Sequence, residues 1–60
     1  MEVKIARIKK GLTQKELCDI VKTSPKKLVD IEKGNYEMVT IGLAKRIARA
    51  LDKSVQELFF

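Results

Sequence analysis

Apolar residues along this chain recur three and four positions apart in short bursts, and each burst is bounded by a residue that starts or stops a helix. Val3, Ile5, Ala6 and Ile8 make the first stripe, and Gly11 stands where a helix ends on a left-handed residue. Thr13 opens a second helix. Glu16, three residues on, completes a capping box, and Leu12 is placed to staple against Leu17. Leu17, Cys18 and Val21 are its inward positions. Ser24 caps a third helix and Pro25 takes its first turn, where a missing N–H costs nothing. Leu28 and Ile31 face inward there, and Gly34 closes the helix. After a loop over 35–39, Thr40 caps a fourth helix with Ile41, Ala44, Ile47, Ala48 and Leu51 inside. Ser54 and Glu57 form a second capping box, opening a last short helix with Val55, Leu58 and Phe59 inward.

No segment alternates with a strand's period of two for long enough to predict a sheet. Residues 36–41 are the one candidate, and they read as loop running into helix. The expected fold is all-α: five helices in one domain over residues 1–60. The expected core takes Ile5, Ile8, Leu12, Leu17, Val21, Leu28, Ile31, Ile41, Ile47, Leu51, Val55 and Leu58.

Size constrains this picture. A domain of 60 residues buries only about 60% of its unfolded surface, so its core must be efficient. With one cysteine and no histidine, neither an internal disulfide nor a Cys/His zinc site can supplement helix packing. The expectation is therefore no metal and no cofactor. The lone thiol, the absence of a signal peptide and the absence of a long apolar run make the expected location cytoplasmic, with no membrane partner. An enzyme is not expected. Paired carboxylates, a phosphate-cradling glycine loop and a nucleophile–base arrangement are all missing. No small-molecule ligand is evident. The chain carries 13 basic and 8 acidic side chains, a formal charge of +5, which suits a polyanionic partner.

Charge becomes informative where the chain stops a helix and restarts it at once, in "LCDIVKTSPKKLVDIEKG". Two helices of about two turns, joined by three or four residues, make a helix-turn-helix when the first offers the second a small side chain. Cys18 is that side chain, and is expected in the core. The restart lets the second helix project, N-terminus first, with Lys26 and Lys27 in its opening turn. A positively charged helix end of that kind fits the DNA major groove.

With "GLTQKEL", "LVDIEKG" and "IARALDKSVQELF" in these relative positions, the chain resembles the Cro/repressor-type (XRE-like) helix-turn-helix regulators over about residues 3 to 59. The resemblance implies a five-helix lambda-repressor-like domain that binds operator DNA as a dimer, with the third helix for recognition. It implies a phosphate contact and a bracing role for Gln14. Pro25, Lys26, Lys27 and Asp30 match positions that meet base edges, while Asn35, Tyr36 and Thr40 match positions that lie along the DNA backbone. Lys22, Thr23 and Lys33 are added as further candidate DNA contacts around the turn and the end of the third helix. Arg7 and Glu32 match a partly buried ion pair tying the first helix to the end of the third.

Three residues depart from the family pattern. Lys22 stands in the turn where glycine is common and φ is positive, and a non-glycine residue there costs about 1 kcal/mol or more. Pro25 cannot hydrogen-bond a base through its side chain. Asp30 brings a carboxylate toward DNA, where it accepts from cytosine N4 or braces Lys26 or Lys33.

Apolar residues also exceed what one small core needs. Ile20 stands where the family usually has a polar residue, and Leu43, Phe59 and Phe60 add to the surplus. Neighbours on a helix point about 100° apart, so one of the two terminal phenylalanines must face away from the core. A homodimer is expected, with Leu58, Phe59 and Phe60 as anchors and Leu43 or Ile20 at the edge. The function expected is a sequence-specific transcriptional regulator, a repressor acting by operator occupancy. The alternatives are an antitoxin or restriction–modification controller on the same fold, or a helix-turn-helix module that binds protein and has lost DNA binding.

Overall fold

The computed structural model describes residues 2–60. It contains α1 (Glu2–Lys9), α2 (Gln14–Val21), α3 (Pro25–Glu32), α4 (Ile41–Leu51) and α5 (Val55–Phe59). Helix α2 packs against α3 and α4, while α5 closes the bundle against α1 and α4, and α1 also meets α3. The buried centre draws on every helix. Val3, Leu17, Val21, Leu28, Ile31 and Ile47 are fully enclosed, and Ala6, Cys18, Leu43, Ala48, Leu51 and Leu58 complete the cluster.

The helix starts lie where the polar caps predict. Thr13 Oγ1 accepts the Glu16 N–H at 3.0 Å, and Glu16 Oε1 accepts the Thr13 N–H at 2.8 Å. Ser54 and Glu57 repeat the reciprocal pair, each bond at 3.0 Å. Ser24 and Thr40 accept from Lys27 and Leu43 in the same manner. One stop was missed: Asp52, at φ 59°, ends α4 in the left-handed region, a conformation that aspartate tolerates better than most residues.

Burial corrects the expected core in three places. Ile5, Ile8 and Ile41 are exposed, at 46%, 57% and 76%. On α1 the inward arc is Val3, Ala6 and Arg7, and a buried arginine displaces the isoleucines to the opposite side. On α4 the arc runs through Leu43, Ala44, Ile47, Ala48 and Leu51, which leaves Ile41 outside. Leu43 is thus core, at 4% exposure, as is Leu58 at 3%. Both are consumed by the protein's own interior and are unavailable as surface anchors.

The capping boxes make stability depend on pH. The backbone and side-chain hydrogen bonds of Thr13 and Ser54 hold the Glu16 and Glu57 carboxyls below the ordinary glutamate value. A depressed folded pKa contributes stability that is present above the unfolded value, near 4.3, and drains as pH falls through the folded one. Thr13→Ala and Ser54→Ala are each expected to lose about 0.5–2 kcal/mol at neutral pH. The backbone N–H that holds each carboxylate most strongly stays in these variants, so each is expected to lose only slightly less than wild type on acidification, as read by thermal melts at both pH values. Melts indistinguishable from wild type throughout would contradict the caps.

Candidate nucleic-acid interface

Helices α2 and α3 form a helix-turn-helix whose join is three residues long, from Lys22 to Ser24. Lys22 lies at φ 62° and ψ 51°, the left-handed region, so the join takes the geometry usually given to glycine. Its N–H and that of Thr23 both bond back to the Cys18 carbonyl. Cys18 itself is buried. Desolvation, then the carboxylates of Asp19 and Glu32, push its thiol pKa up, which keeps the sulfur neutral and inert. The carbonyl of Val21, at the end of α2, accepts from Arg46 Nε at 2.9 Å. That arginine comes from α4, and no local pattern marked it.

Helix α3 is held equally firmly at its far end. Arg7 Nε donates to Glu32 Oε2 at 2.6 Å, and Nη2 reaches Oε1 at 3.3 Å. Arg7 Nη1 donates to the Leu12 carbonyl at 2.8 Å. Gln14 Nε2 donates to Glu32 Oε1 at 3.0 Å. Gln14 therefore braces the end of α3, and the Arg7–Glu32 pair joins α1 to α3. Among the described residues, no buried side-chain nitrogen or oxygen lacks a partner.

Between the held end of α2 and its own held C-terminus, α3 presents its first turn outward. Pro25 and Lys26 are exposed, and Lys27 and Asp30 are half-buried. Lys26, Lys27, Asp30 and Asn35 come together around a concavity of about 320 Å³, with Ser24, Ile31, Met38 and Val39 completing its wall. Lys22 and Lys33 are exposed outside it and Thr23 is half-buried beside the turn. Asp30 braces neither Lys26 nor Lys33. Among the described residues the one ion pair is Arg7–Glu32, and Asp30 acts on its surroundings through its carbonyl, which accepts from the Lys33 and Asn35 amides. Thr40 Oγ1 is engaged as the α4 cap. Tyr36 turns its ring edge-on to Phe59, with centroids 5.0 Å apart.

The expected apolar surplus is real but differently composed. Phe60 is 96% exposed and Ile20 54%. Phe59 is half-buried. A second concavity of about 420 Å³ lies between α4 and α5, lined chiefly by Tyr36, Ile41, Ala44, Val55, Phe59 and Phe60. Ile41, assigned to the core by sequence, lies in its rim. Among the described residues no helix is long and apolar enough to cross a membrane.

Two short helices crossing at a tight turn, the second projecting and basic, within an all-α five-helix bundle, define a lambda-repressor-like DNA-binding domain. A family model described as helix-turn-helix matches residues 3–58. The chain belongs to that family, the Cro/repressor-type (XRE-like) helix-turn-helix regulators. No curated protein and no solved structure matches it.

The brace on α3 has a measurable cost of removal. Arg7→Leu is expected to lower stability by about 3–5 kcal/mol, because Glu32 stays buried with its charge uncompensated. Adding Glu32→Leu to that variant is expected to recover part of the loss. Urea melts of the two variants decide it. A double variant less stable than the single would mean that the pair is not a desolvated unit.

Proposed function

We propose that this protein is a sequence-specific transcriptional regulator, a repressor that occupies its operator as a homodimer with α3 in the major groove. One observation carries the reading. Lys26 and Lys27 occupy the first turn of α3, where no acidic residue stands, at the positive end of the helix dipole. Cations there oppose the dipole by about 0.3–1 kcal/mol each, so folding stability gives no reason for them. A phosphate-rich groove does, since it meets the helix N–H groups and both ammonium groups together. Lys22, Thr23, Gln14, Lys33, Asn35, Tyr36 and Thr40 are proposed to lie along the sugar–phosphate backbone, with Pro25, Lys26, Lys27 and Asp30 toward the bases.

Lys26→Ala and Lys27→Ala are each expected to weaken operator binding. Where the lysine reads a guanine, the loss is about 1–3 kcal/mol with relaxed preference at one base pair; where it meets phosphate, affinity falls for all sequences and the salt slope shrinks by about one. Titrations at several salt concentrations separate the two. Unchanged binding by both variants would remove α3 from the DNA.

The second copy is proposed to seat on the groove between α4 and α5, with Phe60 and Ile41 as contacts and Phe59 beneath them. Burying one Phe side chain is worth roughly 1.5–3 kcal/mol, and a two-fold contact counts it twice. The two recognition helices of the dimer are proposed to enter successive major grooves about 34 Å apart, one turn of the duplex. Sedimentation equilibrium is expected to show a dimer for wild type and a weakened one for Phe60→Ser and Ile41→Ser. A wild type that stays monomeric at high micromolar concentration rules the interface out.

A further inference from the structure

We propose that Met38 reads a base, selecting a thymine through its 5-methyl group; the proposal rests on α3 entering the major groove. Met38 is 71% exposed, so it fills no gap in the core. It lines the same concavity as Lys26, Lys27, Asp30 and Asn35, on the face that α3 turns outward. Among those polar and charged neighbours it is the large, exposed apolar side chain.

The loop that carries Met38 is welded to α3. The amides of Gly34 and Asn35 bond to the carbonyls of Ile31 and Asp30, each at 3.0 Å. Gly34, at φ 91°, makes the bend that an L side chain rarely adopts. The Val39 amide then closes a turn onto the Tyr36 carbonyl at 3.1 Å, and Met38 sits at its corner. Both flanks are anchored inward, Tyr36 on Phe59 and Val39 on the core cluster. Met38 is therefore presented at a set position relative to the recognition helix.

Its chemistry narrows the target. Phosphate oxygens are met by N–H groups and cations, and a thioether supplies neither. The major groove offers one distinctive apolar feature, the methyl of thymine. A polarizable, unbranched side chain adapts readily to such a group.

The test begins with half-sites selected by the full chain from a random duplex pool. Each thymine is then replaced by deoxyuridine, which removes only the methyl. Wild type is expected to lose roughly three- to five-fold in affinity at one thymine, the equivalent of one buried methyl. Met38→Ala is expected to bind the thymine and uracil duplexes alike while melting at the wild-type temperature, and Met38→Leu to retain part of the discrimination. An equal loss at that thymine in wild type and Met38→Ala overturns the assignment, as does a wild type indifferent to every thymine methyl. A wild type that binds DNA of no sequence fails earlier, and removes the DNA reading together with this one.

Discussion

Glu32 ends α3 inside the protein, where a lone carboxylate would be held at a cost of several kcal/mol. It is tolerable because Arg7 and Gln14 aim three N–H groups at it, and Arg7 spends a further one on the Leu12 carbonyl. The donors come from α1 and α2, so the charge can be satisfied only when α1, α2 and α3 hold one mutual arrangement. Apolar packing alone is tolerant of small slips between helices. Hydrogen bonds to a buried charge are not, and here they set the angle at which the basic turn of α3 leaves the body.

The end of α2, just before the turn into α3, is held by a different means. Arg46 reaches from α4 to the last carbonyl of α2, one of the groups a helix end leaves unpaired. One guanidinium at the turn and one at the far end of α3 thus fasten the helix-turn-helix to α4 and α1. Preorganisation of this kind matters for a reader of DNA, because a side chain that arrives already oriented loses less entropy on binding.

Caps and turns were the legible part of the chain. Thr13, Ser24, Thr40 and Ser54 announce their helices through local hydrogen bonds that involve at most four residues, and such rules act without knowledge of the tertiary fold. The helix-turn-helix and its lysines followed from the same signals. Burial was less legible. A hydropathy pattern alone sends Arg7 outward and Ile5 inward; the Arg7–Glu32 pair was legible only through the family resemblance, because the partner lies 25 residues away. Ile41 and Leu43 were exchanged for a related reason: both suit a helical stripe, and only the position of α2 and α5 decides which edge of α4 is covered. Arg46 and Met38 could not be read locally at all. The carbonyl that Arg46 meets and the concavity that Met38 lines are assembled by other segments.

Lys22 keeps a left-handed backbone that glycine would adopt freely. The comparison changes when the denatured chain is considered. A glycine at that position would relax the native turn, yet it would also give the unfolded ensemble more conformations to lose. The two effects oppose one another, so the net thermodynamic burden of the lysine is smaller than its dihedral angles suggest. A tight turn can in this way carry a charged side chain on its outer edge at modest expense to the folded state.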